Sequence, residues 1–392
     1  MWLSSTSLMR PMVPDWLEEL CQRLSTSDTA LTMVEITHQR IDDNGARALA
    51  RALEDNEYVT VLILSCYNIV DDGAVYLGAI LGKNRNIKKL QLRDLRNSRE
   101  IATFFQALQK NTTLEEVSLR HSVIDTTGAE ALRKFVSMSH CSVKELRLVD
   151  TQLQGASLQI FCEGMKHNLS IKRLIFVNND IGYSGAIHLG SMLKFNKTIE
   201  ELGIAENQIE DSGVINIAEG LKNNSSLYKL DLRSNGITVE GALALQDVVK
   251  SSQTLCSLFL ASNELGNVGV ETLSEGLCSD SGLKVLDLSE NDVDSTGAKA
   301  IATMRKKNGA LQEVNLAFNS IGDEGAASLA SVLVHNTSVT QLSLKRNNIS
   351  KLGAVAFADK LPMMRGLKEL IMTKNSIDPE GGFSSKRATM QC

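Results

Sequence analysis

The chain has 392 residues, 22% of them charged, and a formal net charge of −5. An acidic chain of this kind lacks the basic footprint of a general nucleic-acid binder, and no apolar run approaches the ~20 residues of a membrane span. The seven cysteines are odd in number and include no C-x-x-C pair, which fits reduced thiols in the cytosol or nucleus.

The first twelve residues, Met1 to Met12, are Ser-rich with one Arg and no acid. They lack the continuous apolar core of a secretory signal, and a transit segment is the alternative reading. Pro14-Asp15 then opens an amphipathic helix with Leu17, Leu20, Cys21 and Leu24 on one face. Residues 1–30 are therefore expected to be an N-terminal tail and a capping helix.

From Leu31 the chain repeats with a period of 28 residues. The first apolar position of each unit falls at Leu31, Val59, Ile87, Leu114, Val143, Ile171, Ile199, Leu227, Leu255, Leu283, Leu311, Val339 and Leu367, which makes thirteen units over residues 31–378. The interval from Ile87 to Leu114 is short by one residue and the next is long by one, so the phase is kept. A fixed period of this size means a stacked array, in which each unit buries its apolar stripe only against its neighbours.

Each unit carries two hydrophobic periods. The alternation at Leu286 and Leu288 is that of a strand. In the first unit Ala46, Leu49, Ala50 and Leu53 form one helix stripe. Asp or Ser before the Gly, as at Asp42-Asp43 and Asp211-Ser212, is expected to cap the helix start, and Asn84, Asn111, Asn196, Asn224 and Asn336 are expected to close its end. A further row, Asn179, Asn207, Asn235, Asn263, Asn291, Asn319, Asn347 and Asn375, comes after the strands. A side-chain amide there supplies donors and an acceptor to backbone groups that have left the sheet. The early units carry Gln39, Tyr67, Leu95, Ser122 and Thr151 instead, and the third and fifth lack the helix-start Gly. Decay toward the end of an array, or a loop shaped for a partner around residues 94–101, accounts for this.

After Asn375 the chain reads Ser-Ile-Asp-Pro-Glu-Gly-Gly-Phe-Ser-Ser, which does not favour a helix. Residues 379–392 are expected to be a tail, disordered from 384 onward. The last strand, Leu370 to Met372, would then be an open sheet edge, either closed by the tail through Phe383 or used for weak self-association.

The motif LxxLxLxxNxIxxxGAxxLAxxL, as it stands in Leu311 to Leu333, resembles the ribonuclease-inhibitor-like leucine-rich repeats. The resemblance implies an α/β leucine-rich-repeat horseshoe solenoid, with a parallel concave sheet and convex helices. Similar repeats occur in ribonuclease inhibitor, in the Ran GTPase-activating protein and in nucleotide-binding leucine-rich-repeat receptors. Such a resemblance specifies fold far more than function. The acid run that comes after the repeats of the Ran activator has no counterpart at Lys386-Arg387, and its functional Arg finds no matching motif here. A GTPase regulator of that type, and a ligand-sensing repeat protein of an innate immune receptor system, stand as alternatives to a non-enzymatic interaction scaffold in the cytosol or nucleus.

The sequence offers no Walker loop, nucleophile elbow, H-E-x-x-H or strand-to-helix GxGxxG, so it makes no positive case for an enzyme or a cofactor. The row His38, Cys66, Asp94, His121 and Asp150 holds metal-binding residue types, but a flat ladder spreads them too far for a tetrahedral site, and no metal is assigned.

Function is therefore expected on the concave face, toward a protein ligand. In the third to sixth units the exposed strand positions include Lys88, Lys89, Arg93, Arg120, Lys144, Arg147, Lys172 and Arg173, which outnumber Asp94, Glu115, Glu116, Glu145 and Asp150. In the seventh to eleventh, Glu200, Glu201, Glu206, Asp231, Asp287, Glu290 and Glu313 outnumber Lys229, Arg233 and Lys284. Opposite polarity along the face suits a complementary partner, although charges on strand surfaces also serve solubility. Phe259 and Phe318 interrupt the polar surface and are expected to anchor the partner, with Arg233 between them.

Overall fold

The computed structural model describes residues 13–26, 28–95, 97–278, 282–305, 308–377 and 389–391. The chain forms two compact units, Met1–Ile171 and Lys172–Cys392. Both are built from the same strand–helix repeat.

In the first unit, α1 (Asp15–Ser25) precedes β1 (Met33–Ile36), α2 (Asp43–Glu54), β2 (Val61–Ser65), α3 (Asp71–Lys83), β3 (Lys89–Arg93), α4 (Ser98–Leu108), β4 (Glu116–Arg120), α5 (Thr126–Val136), β5 (Glu145–Val149) and α6 (Gly155–Met165). Strands β1 to β5 pair in chain order, all parallel. Parallel neighbours need a crossover, and each helix supplies it. Along β2 the odd positions stay partly in water while Leu62 and Leu64 are buried, so one strand face joins the core and the other faces out. The helices close the core with Ala46, Leu49 and Leu53 on α2 and Ala74, Leu77 and Leu81 on α3. α1 buries Leu17 and Leu24 against the first repeat. A Cβ on Gly45 of α2 would meet Leu17 at 2.9 Å, which shows how closely α1 lies.

The second unit continues with β6 (Arg173–Val177), α7 (Gly182–Phe195), β7 (Glu201–Gly203), α8 (Glu210–Leu221), β8 (Lys229–Asp231), α9 (Val239–Ser251), β9 (Ser257–Phe259), α10 (Gly266–Gly276), β10 (Val285–Asp287), α11 (Ser295–Arg305), β11 (Glu313–Asn315), α12 (Gly322–Leu333), β12 (Gln341–Ser343), α13 (Lys351–Lys360) and β13 (Glu369–Ile371). These strands are also parallel and in chain order. The α7–α8 pair is tight. A Cβ on Gly220 would lie 2.3 Å from the Gly190 carbonyl oxygen, so only glycine fits at this approach.

One expectation is overturned at the C-terminal edge. Thr389–Gln391, within the segment expected to be disordered, forms a further strand, β14, parallel to β13 and in register from Glu369↔Thr389 to Ile371↔Gln391. The last leucine-rich strand is therefore covered by the chain's own backbone. Pro379 and Phe383 lie outside the described residues.

Side-chain amides and carboxylates tie each repeat to the next. From Asn179 to Asn347 the row after the strands is buried, while Asn375 is only half-buried, so the expected buried line stops one repeat early. Asn235 is representative. Its Nδ2 donates to the carbonyl oxygens of Ile204 and Arg233, each at 2.9 Å, and its Oδ1 accepts from Asn207 N–H at 3.0 Å.

In the second row Asn84 and Asn196 close α3 and α7 as C-caps, their backbone N–H bonding Ile80 O and Met192 O at 2.8 Å, and the side chains reach beyond their own helix. Asn84 Nδ2 donates to Leu53 O, at the end of the preceding repeat's helix, at 3.1 Å. Its Oδ1 accepts from Asn86 and Ile87 N–H, each at 2.9 Å, at the approach to the next strand. Asn111, Asn168, Asn224 and Asn308 reach back to Leu81, Val136, Leu193 and Leu277 in the same way.

The helix-start acids divide. Asp42 and Asp125 cap their own helices. Asp211 and Asp323 instead accept from the first turn of the next repeat's helix, at Gly241 and Gly353 N–H, each at 2.9 Å. That explains the glycines: a Cβ on Gly241 would sit 2.5 Å from Asp211 Oδ1.

Candidate functional site

The outward strand face carries the residues singled out from sequence. On the first unit the pairing places Arg93 beside Arg120, and Ser118 beside Arg147. Arg93 and Arg120 are thus side by side on β3 and β4, while Arg147 on β5 lies two residues out of line with Arg120. Arg173 lies on β6 in the second unit, exposed.

Much of the charge on both faces is paired internally. Lys89 meets Glu116 at 2.7 Å, Lys144 meets Glu115 at 2.7 Å, and Arg147 holds Glu145. Lys144 holds the Glu115 carboxyl below its usual range, chiefly through this hydrogen bond. On the second unit Lys172 meets Glu200 at 2.7 Å and Lys229 lies 3.7 Å from Glu201. The exposed lysine pairs contribute little to stability, but all of these pairs, including the one to the buried Glu145, remove charge from the face.

The row His38, Cys66, Asp94, His121 and Asp150 is not a set of convergent ligands. Cys66 is fully buried, and burial pushes its thiol well above the ordinary range. Asp94 accepts from the Ser65 hydroxyl at 2.8 Å, and His121 Nδ1 lies 3.1 Å from Asp150 Oδ2. Among the described residues no group of three His, Cys, Asp or Glu could hold a metal. No helix among them is long and apolar enough to cross a membrane.

The two aromatics are on the outward face, but not as a pair. Phe259 ends β9, beside Asp231 on β8 and Asp287 on β10. Phe318 lies beyond the end of β11, three residues past Asn315, the residue aligned with Phe259 through Asp287. Arg233 is not between the rings: it comes just after β8, on the side of Phe259 away from β11, and its guanidinium is held by Asp231 of its own strand at 2.6 Å. The D-x-R spacing on a strand puts both side chains on one face, so Arg233 is neutralised within its own repeat rather than free to anchor a partner.

Phe259 has one cation over its ring and Phe318 has two. Lys229 Nζ is 5.2 Å from the Phe259 ring centre, and Lys345 Nζ and Arg346 Cζ are 5.3 and 5.5 Å from that of Phe318. Phe318 also has φ 58°, a left-handed backbone that other repeats fill with polar residues, from Asp150, Asn178, Ser234 and Ser262 to Glu206, Glu290 and Arg346. A bulky aromatic is costly there.

Phe259 borders a groove that crosses β9 to β13. Its floor includes Val285, Asp287, Glu313, Asn315, Ser343, Glu369 and Ile371. Glu369 and Ile371 lie beyond the repeats whose charges were read from sequence. The repeat frame would have found them, since each aligns with the residue before it, Gln341↔Glu369 and Ser343↔Ile371.

Repeat, sheet and ladders together define the chain as a leucine-rich-repeat protein. A family model described as "Leucine Rich repeat" matches residues 110–132, 195–218, 223–245, 282–302, 308–330 and 335–358. Protein NLRC5 of Ictalurus punctatus is 26% identical over 213 residues; the match spans 47% of this chain and 12% of that protein. Among solved structures, a chain of the yeast Rad7 and Elc1 complex is similar with TM-score 0.50 and 13% identity, over 96% of this chain and 93% of that one. An internalin (inlF) from Listeria monocytogenes is similar with TM-score 0.50 and 17% identity, over 95% and 92%. At these identities the structural likenesses speak to the fold alone.

Proposed function

We propose that the protein is a non-enzymatic interaction scaffold whose outward strand face binds a protein partner, with Phe259 as the anchor on the second unit. The observation that carries this reading is the groove over β9 to β13. Phe259, Val285 and Ile371 stay half-buried there rather than joining the core. Beside them Asp287, Glu313 and Glu369 form no ion pair with any described residue. Apolar surface left in water beside unneutralised carboxylates suits a segment with aliphatic and cationic side chains, because such a segment buries the one and neutralises the other.

The test uses the full chain, a partner recovered by affinity capture and then purified, and two variants of similar surface chemistry. Phe259→Ala is expected to weaken binding by about 2 kcal/mol, or roughly 30-fold. Leu243→Ala, on the exposed side of α9, is expected to leave it unchanged. The reverse pattern moves the binding surface to the helices and overturns the proposal.

A further inference from the structure

We propose that the strand face of the first unit binds an acidic segment of a protein partner through Arg93 and Arg120. This rests on the reading of the strand faces as protein-binding surfaces, and adds the chemistry of what one of them takes. The argument begins with alternation. Val117 and Leu119 are buried in the core, so Ser118 and Arg120 point outward from β4. Arg93 and Arg147 flank them on neighbouring strands, which run ~4.8 Å apart.

The repeat itself shows how such an arginine is normally neutralised. Arg233 of the second unit occupies the position equivalent to Arg120, and Asp231, two residues earlier, holds it at 2.6 Å. In the fourth repeat the residue two before the arginine is Ser118, and in the third it is Gln91. Among the described residues Arg93 therefore finds only the Gln91 amide, whose oxygen, turned toward the guanidinium, lies 2.7 and 3.0 Å from Nε and Nη2. Arg120 Nε is buried with no hydrogen-bond partner among the described residues, and so is the hydroxyl of Ser118, which is 9% exposed. The carboxylates nearby are engaged: Glu116 with Lys89, Glu145 with Arg147, Asp150 with His121, and Asp94 with the Ser65 hydroxyl.

A buried charged donor without an acceptor is an unfavourable state that an arriving oxyanion relieves. The planar fork of arginine matches a carboxylate by two parallel hydrogen bonds. The missing group is thus an acid that the fold omits at the place where its own repeat supplies one elsewhere.

The test measures binding of a short fluorescein-labelled peptide of alternating Glu and Ser to the full chain by anisotropy, against the same peptide with Gln for Glu. The Glu peptide is expected to bind, and the Gln peptide to bind at least about tenfold more weakly. Arg120→Gln is expected to cost the Glu peptide a similar factor. Ser118→Asp restores the internal acid, so it is expected to block the peptide while keeping the arginine and the thermal transition of the parent. Arg120→Lys, which keeps the charge but not the fork, is expected to fall between. Equal binding of the two peptides, or binding indifferent to both Ser118→Asp and Arg120→Gln, overturns the proposal. If that happens while Phe259→Ala still weakens a purified partner, only the acidic-segment inference falls; if Phe259→Ala is also silent, the strand-face reading falls with it.

Discussion

The backbone N–H of Asn235 donates to the side-chain oxygen of Asn263, one repeat further on, at 2.9 Å. The same Asn263 oxygen accepts from Ile237 N–H at 3.1 Å, and its Nδ2 donates to Leu232 O and Leu260 O at 3.1 and 2.9 Å. One side chain thus satisfies backbone groups of two repeats, all shielded from water. Asn263→Ala leaves them without partners and is expected to destabilise the protein by about 1–3 kcal/mol. Asn375→Ala removes the same kind of bonds at a half-buried position, where water can replace them, so its cost is expected to be smaller. Denaturant unfolding of the two variants makes the comparison; equal losses would mean that burial does not set the cost.

The inter-repeat caps give a pH signature. Burial alone would raise the Asp323 pKa. Hydrogen bonds from the Ser350 hydroxyl and N–H and from Gly353 N–H outweigh it, and the carboxyl sits below its ordinary value of 3.8. A depressed folded pKa contributes stability that is present above the unfolded value and is lost as pH falls through the folded one. Asn267 shows that an amide can do the backbone part of this work, since its Oδ1 accepts from Asp294 and Gly297 N–H, each at 3.0 Å. Asp323→Asn is therefore expected to keep most of the neutral-pH stability and to flatten its decline below pH 3.8. Asp323→Ala is expected to lose about 1 kcal/mol at neutral pH. Thermal melts across roughly pH 2–7 distinguish them, and an unchanged acid limb in the Asn variant would rule out Asp323 as its source.

The fold was legible in sequence because its determinants recur. Leu286 and Leu288, Asn291 and Gly297 each occupy one place in a frame that the chain repeats, so a single unit predicts its neighbours. What was not legible lies between repeats or outside the frame. Asp211 sits in one repeat and caps the helix of the next, a relation that reading one unit at a time does not expose. The ion pair from Arg233 to Asp231 was visible in the two-residue spacing yet depends on side-chain direction. Thr389–Gln391 carries none of the repeat's leucines, so nothing in the pattern marked it as a strand.

Phe318 separates binding from stability. Its left-handed backbone costs a bulky residue about 1 kcal/mol or more. The cations over its ring return about 0.5–1 kcal/mol. Phe318→Asn relieves the first and loses the second, so stability is expected to stay level or rise slightly. If the ring contacts the partner, the same variant is expected to weaken binding by about 2 kcal/mol. A fall in the melting temperature with unchanged affinity would identify Phe318 as a packing residue that holds Lys345 and Arg346 in place.

The C-terminal edge offers the clearest structural test. Every strand of the second unit from β7 to β12 has a neighbour on both sides, and β13 has a second one only because β14 pairs with it. Aligned repeat positions are 28 residues apart from β12 to β13, but only 20 apart from β13 to β14, so this closing strand returns by a shorter connection than the repeat uses. Removing residues 379–392 exposes the backbone edge of Glu369–Ile371, which is a template for another strand. The truncated chain is expected to dimerise or aggregate more than the full chain at equal concentration in light scattering. Ile371→Lys, at a half-buried outward position of that edge, is expected to reduce the association in the truncated chain by placing a charge where a second strand would dock. A truncated chain that stays monomeric and as stable as its parent would show that β14 is not what protects the edge.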